Sequence, residues 1–387
     1  MIVKNEAHII EETLMTICEY IPFDYWVICD TGSTDSTPDI IHNFFIKRGI
    51  SGDLYFDEWQ DFAYNRNLAL KRCQGHGDYV FFFDADDTIK GQLTLPDSLT
   101  ADAYYFKFSN ALKSNQFERI LLVKNNIEVR WRGVVHEFIE LPKYAQTKTI
   151  AGSYQIIGRS LGARSQNEDK YLDDAQLLEQ ALASPNDPDL TPRYQFYCAQ
   201  SYRDAGIPDL ALKWYLKRAD NPEGWAQERY VSYLQAGYIY NQKKEFAQAL
   251  FQFQLGTAVD PKRAECWYQL ARIHSWENHF YLAYLFAEQA MQCEILPHQL
   301  FVNRDMFLYW GAFEYTLNAC RLGKFAEGYS GLKKLVAKAP TNLFAYLNPY
   351  FDKLREEMLR DSYREVQELK KQLDNRQLTE VKIKLGL

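Results

Sequence analysis

Five apolar residues, Tyr79-Val80-Phe81-Phe82-Phe83, end abruptly at Asp84-Ala85-Asp86-Asp87. An apolar run of this length reads as a strand buried on both faces. Carboxylates this close repel one another unless a cation stands among them. Two readings of the acidic end are open. One is an Asp-rich turn after a strand. The other is a site for a hard divalent ion, Mn²⁺ or Mg²⁺, with Asp84 and Asp86 as ligands; such ions take oxygen ligands and bridge to phosphates.

The chain ahead of this strand alternates in type. Ile2-Val3 is a short apolar start, followed by an amphipathic helix with Ile9, Ile10, Thr13, Leu14 and Ile17 at helical spacing. It begins so close to Asn5 and Glu6 that its first strand is expected to be short or truncated. Tyr25 to Cys29 reads as a second strand, ending at the Gly- and hydroxyl-rich loop Asp30 to Thr37. Pro38 marks the next helix start, because proline suits the first helical turn. A third strand spans Gly52 to Phe56, and a helix from Phe62 to Cys73 carries Asn65, Arg66 and Asn67. Strand and helix alternating at this pitch predict a mostly parallel, Rossmann-like sheet covered by helices. In such sheets ligands bind beyond the carboxyl ends of the strands. Asn5, Glu6, Asp30, Asp57, Asp84 and Asp86 all fall there. After Asp87, residues 88–100 read as loop, and Ala103–Phe108 with Glu118–Val123 as an antiparallel pair.

Composition narrows the function classes. A formal net charge of −7 over 387 residues, with no basic block, argues against nucleic-acid binding. The seven cysteines are scattered singly without a C-x-x-C pair, which fits reduced thiols in a cytoplasmic protein. No stretch approaches the ~18 apolar residues that span a bilayer, and the first residues lack a signal-peptide layout.

Several motifs then fall in order: Met1-Ile2-Val3-Lys4-Asn5-Glu6, Asp30-Thr31-Gly32-Ser33-Thr34-Asp35-Ser36-Thr37, Asn65-Arg66-Asn67, Gly77-Asp78-Tyr79, and Asp84-Ala85-Asp86 as a D-x-D motif. Over residues 1 to about 140 the chain resembles a family-2 glycosyltransferase of the GT-A α/β fold. The resemblance implies a nucleotide-sugar donor, UDP-linked, and transfer with inversion. It implies that Asp30 hydrogen-bonds the base and that Glu6 and Asn5 lie near the nucleoside. Asp57 and Ala85 join the donor-binding set, and Arg66 stands near the diphosphate or the D-x-D carboxylates, or else is a surface helix arginine. Asp84 and Asp86 hold Mn²⁺ or Mg²⁺. Arg130-Trp131-Arg132-Gly133-Val134-Val135-His136-Glu137 resembles the W-x-G-x-x-H-E segment of a subset of these transferases. His136 is thereby the candidate third metal ligand and Glu137 the candidate catalytic base, with a purely structural role as its alternative. Trp131 either stacks on a sugar or fills the core.

Beyond about residue 160 helical periodicity takes over. Ala249 and Ala283 lie 34 residues apart, and Trp267 to Ala271, Ala283, Ala287, Ala290 and Pro297 follow the tetratricopeptide pattern. Tyr202-Gly206-Ala211-Tyr215-Pro222 and Gly237-Tyr240-Ala249-Phe253-Pro261 phase on it, and Gly323-Phe325-Leu332-Pro340 is a degenerate copy. Small residues are needed where paired helices touch and aromatics fill the gaps between, which accounts for much of the 27 tyrosines. The predicted layout is a transferase domain over 1–160, connecting helices over 161–190, tetratricopeptide-like repeats over 191–345, and a terminal helix over 346–387. That helix, with Leu354, Met358, Tyr363, Val366, Leu369 and Leu373 in one stripe, caps the last repeat or pairs with a second chain as a homodimer. The repeats either bind an acceptor in their concave face or buttress the first domain.

The expected acceptor is a peptide or protein, or a glycan. Sublancin-type S-glycosyltransferases also join this fold to helical repeats and modify peptide cysteines. Two rivals are an inactive binding scaffold and a nucleotidyltransferase, which would release pyrophosphate.

Overall fold

The computed structural model describes residues 1–110, 116–159, 161–183, 187–296, 299–336 and 338–385; Pro297 lies outside them. The chain divides into two compact units, Met1–Ile207 and Pro208–Leu387.

The first unit opens with β1 (Ile2–Val3), α1 (Ile10–Tyr20), β2 (Tyr25–Asp30), α2 (Thr37–Arg48), β3 (Ser51–Phe56), α3 (Phe62–Arg72) and β4 (Tyr79–Phe81). The expected alternation is present, and β1, β2 and β3 form a parallel sheet in that order. The α1 stripe is buried as its spacing requires, with Ile10 and Thr13 fully enclosed. Helix α2 ends on Gly49 in the left-handed region, the common helix terminator.

Next come β5 (Asp87–Leu93), β6 (Ala103–Asn110), β7 (Gln116–Lys124), β8 (Arg130–Arg132), β9 (Phe138–Glu140), β10 (Thr147–Thr149) and β11 (Gly152–Gly158). They build a mixed sheet in the order β4-β7-β6-β11-β5 with β10 alongside β6, and a separate β8–β9 ribbon. The β6–β7 pair is antiparallel, as its two apolar runs predict. The stretch after Asp87 is not loop throughout. Residues 87–93 form β5, held antiparallel against β11 from Asp87–Gly158 to Leu93–Gly152. The pairing partner, not the local sequence Asp-Thr-Ile-Lys-Gly-Gln-Leu, makes this a strand. A core of Phe83, Ile89, Tyr104, Phe106, Leu121, Leu122, Tyr154 and Ile156 fills the space beneath the mixed sheet. The unit closes with a short 3₁₀ turn (Ala163–Gln166), α4 (Lys170–Ala183) and α5 (Thr191–Asp204).

The second unit is all helical: α6 (Pro208–Asp220), α7 (Ala226–Gln242), α8 (Phe246–Val259), α9 (Ala264–Trp276), α10 (Phe280–Gln292), α11 (Gly311–Arg321), α12 (Phe325–Leu335) and α13 (Phe351–Leu385). Helices α7 and α8, α9 and α10, and α11 and α12 pack as consecutive pairs. The small residues expected at helix contacts are there: Ala249, Ala271, Ala283 and Ala287 are fully buried. A Cβ on Gly237 would lie 2.4 Å from the Phe253 ring, so only glycine admits that helix contact. The turns within the pairs share a left-handed residue, Lys244, Asn278 and Gly323, the first two 34 residues apart. Among the described residues no helix is long and apolar enough to cross a membrane.

Candidate active site

The loops after β1 and β2 are stapled together. Asn5, in the left-handed region, accepts the Thr34 amide on Oδ1 at 2.7 Å, and its own amide donates to Ser33 Oγ at 2.9 Å. The Glu6 amide donates to Thr37 Oγ1 at 2.8 Å, and the Ala7 amide to Asp35 Oδ2 at 3.1 Å. Asn5 is thus a loop-shaping residue. Asp35 orients the loop, as its turn chemistry suggests. Asp30 sits in the middle of this clasp, almost fully buried. Its Oδ1 accepts the Gly32 and Ser33 amides at 2.9 and 2.8 Å, while its buried Oδ2 has no partner among the described residues. A buried carboxylate oxygen left unsatisfied is uncommon and calls for an explanation.

Three consecutive residues of α3 point in three directions, since each helical step turns 100°. Asn65 bridges Glu58 and Gln60. Asn67 clasps both backbone polar groups of Trp131 at 2.8 Å. Arg66, between them and 8% exposed, donates Nη2 to Asp84 Oδ1 at 2.7 Å and Nε to Glu137 Oε1 at 2.8 Å. Its guanidinium also lies 4.9 Å from the Trp131 ring centroid. Trp131 packs edge-on against Phe82 and is 4% exposed; it fills the core and is not open to stack on a sugar.

Asp84 receives a second cation, Arg119 of β7, at 3.4 Å. Burial alone would raise its carboxyl, but the Arg66 and Arg119 guanidiniums outweigh burial and hold it well below the usual carboxylate range. Asp87 goes the other way: burial, then the Asp84 charge, push it well above that range. The Ala85 carbonyl accepts Thr13 Oγ1 at 2.7 Å. Asp86 Oδ2 and Glu6 face the backbone that follows β11, at the amides of Gly162 and Ala163, each contact 3.3 Å. Burial, with Asp86 nearby, pushes the Glu6 carboxyl up to about 7.

Asp57, expected in the donor-binding set, is held by an ion pair. Its carboxylate is forked onto Arg72, with Nη2 to Oδ1 at 2.6 Å, and that bond holds it below the ordinary range. His136 departs from its expected metal role. It has φ +53°, its ring stacks on Tyr197 at 4.0 Å, and its carbonyl accepts Arg193 Nη2 at 2.9 Å. The residue as a whole is exposed, with its ring covered on the Tyr197 side. Lost hydration, then Arg193, Arg164 and Lys170, lower its pKa to about 4, leaving it neutral near pH 7. Gly133, at φ +103°, makes the turn that brings His136 and Glu137 round; a Cβ there would lie 3.3 Å from Glu137 Cα.

Among the described residues no three His, Cys, Asp or Glu side chains converge on a metal position. The expected set of Asp84, Asp86 and His136 is therefore not gathered. One or two carboxylates with substrate phosphates commonly hold Mn²⁺ or Mg²⁺; here Asp84 Oδ1 and Oδ2 each face a guanidinium, Arg66 and Arg119, and Asp86 Oδ2 faces the Gly162 amide.

Sequence reasoning missed three cations. Arg119 lies on a strand read only for its pairing. Arg164 and Lys170 arrive from the segment after β11. Arg164 lies over the Phe62 ring and pairs with Asp174. Among the described residues Lys170 forms no salt bridge, and its ammonium reaches Ser165 Oγ at 3.5 Å. Burial and then Arg164 lower the Lys170 pKa, against the pull of Asp86.

Residues 1–100 match the family described as Glycosyl transferase family 2. The chain therefore carries a family-2 glycosyltransferase-like domain at its N-terminus, followed by tetratricopeptide-like helical repeats. No curated protein matches it. Similar solved structures include MamA, 15% identical over 44% of this chain and 89% of MamA, TM-score 0.34. BtubC (BKLC) from P. vanneervenii is 16% identical over 47% of this chain and 76% of that one, TM-score 0.35. The C-terminal part of a TPR repeat-containing protein from Cytophaga hutchinsonii is 16% identical over 50% of this chain and 76% of its own, TM-score 0.33. The repeats are defined by the consecutive helix pairs themselves.

Proposed function

We propose that this protein transfers a sugar, with inversion, from a UDP-linked donor to a peptide, protein or glycan acceptor. The observation that carries this reading is Asp30. Its position at the end of β2, in a domain matching family 2, and its buried, unpartnered Oδ2 suit a base that offers an N–H, as uracil does. The acceptor nucleophile attacks the anomeric carbon, the bond to the diphosphate breaks, and the nucleoside diphosphate leaves. Mn²⁺ or Mg²⁺ held by Asp84 and Asp86 supplies neutralisation of that leaving group. Arg66 keeps Asp84 ionised and oriented for this. Glu137 is anchored through Oε1 on Arg66, and its other oxygen is the proposed base for the acceptor proton. Arg164 and Lys170 add positive charge beside the acidic rim.

Incubation with a panel of nucleotide sugars and Mn²⁺, without acceptor, tests the reaction class. Slow release of a nucleoside diphosphate from one donor supports transfer. Release of pyrophosphate points to a nucleotidyltransferase, and no turnover of any donor to a binding scaffold.

A further inference from the structure

Helix α13 runs for 35 residues, roughly 50 Å at the usual helical rise, yet among its described side chains only those at its start are packed. Leu354 joins the core of Phe313, Leu317, Leu335, Leu343 and Leu347. Lys333 of α12 pairs with Asp361 at 2.8 Å. From Met358 to Leu369 the apolar side chains stand in solvent: Leu359 is 57% exposed, Tyr363 67%, Val366 48% and Leu369 58%. These four recur at i, i+4, i+7 and i+10, which places them on one face of the helix, and the sequence continues the spacing with Leu373. A solvated helix does not need such a stripe, and most helical stability comes from packing an apolar face.

The charge pattern indicates what covers it. Residues 351–368 carry six acidic and four basic side chains, and residues 369–385 two acidic and five basic. The helix dipole favours acids at the first turn and bases at the last. It does not account for Asp361, Glu365 and Glu368 followed at once by Lys370 and Lys371 in mid-helix. A second copy laid antiparallel sets each acidic half against a basic half and apolar stripe against apolar stripe; a parallel copy sets like charge on like. We propose that α13 pairs two copies of this chain as an antiparallel homodimer through the Leu359, Tyr363, Val366 and Leu369 face, its first turns capping the last helix pair.

Light scattering on the full chain at micromolar concentration tests this. The wild type is expected at the mass of two 45.4 kDa chains, and Val366→Asp with Leu369→Asp at the mass of one, with unchanged circular dichroism. Lys370→Glu with Lys371→Glu is expected to weaken the dimer at least tenfold. Adding Glu365→Lys and Glu368→Lys to that variant is expected to restore it, because the two halves are again opposite in charge. A monomeric wild type, a dimer indifferent to the aspartates, or charge reversal that strengthens pairing or is not rescued would each overturn the proposal.

Discussion

Arg66 Nη2 lies 2.7 Å from Asp84 Oδ1, so the first carboxylate of the D-x-D pair is set by a buried guanidinium. The same guanidinium reaches Glu137, which ties the acidic strand end to the turn after β8. Removing the cation leaves the Glu137 carboxylate, 11% exposed, without this ion pair, and Asp84 with Arg119 at 3.4 Å. Arg66→Met is expected to destabilise the first unit by about 3–5 kcal/mol, the usual effect of breaking a buried pair by one partner. Arg66→Lys is expected to recover only part of this, since a point charge cannot serve both carboxylates as the fork does. Urea unfolding of the three proteins measures both.

Glu6 gives a pH signature. Its carboxyl is raised from 4.5 to about 7 in the folded protein, first by burial. The folded state therefore holds the proton more tightly than the unfolded chain does. This group's stabilising term is fully present below pH 4.5 and is lost as pH rises through about 7. Glu6→Gln, which cannot titrate, is expected to flatten the fall in melting temperature across that interval in chelator-treated protein. An unchanged slope places the titration elsewhere.

Lys170 brings a cation without a carboxylate partner among the described residues to the acidic rim. A charged hydrogen bond to a phosphate contributes about 1.5–3 kcal/mol, so Lys170→Ala is expected to weaken donor binding roughly 10- to 100-fold. Binding of the free nucleoside is expected to change little. Calorimetric titration with nucleoside and nucleoside diphosphate separates the two.

The repeats have their own test. Gly237 faces the fully buried Phe253 ring, which has no open space to move into. Gly237→Ala is expected to destabilise the second unit by about 1–3 kcal/mol through overpacking. Helix propensity alone would predict a gain of up to ~1 kcal/mol, so the sign of the change in chemical denaturation decides.

The acidic rim was legible because it depends on local pattern: apolar runs that stop at Asp30 and Asp84 mark strand ends whatever lies beyond them. The β6–β7 pair and the 34-residue spacing of Ala249 and Ala283 were legible for the same reason. Strand β5 was not, because only its partner β11, far along the chain, makes residues 87–93 extended. The partners of the rim were hidden too. Nothing near Arg119 or Lys170 in sequence points at Asp84 or Asp86; the fold brings them there. His136 next to Glu137 suggested a metal ligand, but the two side chains diverge, one to Tyr197 and one to Arg66. The shared repeat turn at Lys244 and Asn278 was also masked, since neither residue is the glycine that a left-handed turn usually selects.

Asp30 is proposed to read the base of a uridine nucleotide, and Asp30→Asn isolates that role. Asparagine keeps the oxygen that accepts the Gly32 and Ser33 amides but replaces the unpartnered oxygen by an N–H donor, which opposes the N–H of uracil. Calorimetric titration with UDP in Mn²⁺ is expected to give binding to the wild type and a loss of at least about tenfold in the variant, the effect of leaving buried polar groups unmatched. Equal affinities in the two proteins, or no binding of UDP to the folded wild type, would contradict the account.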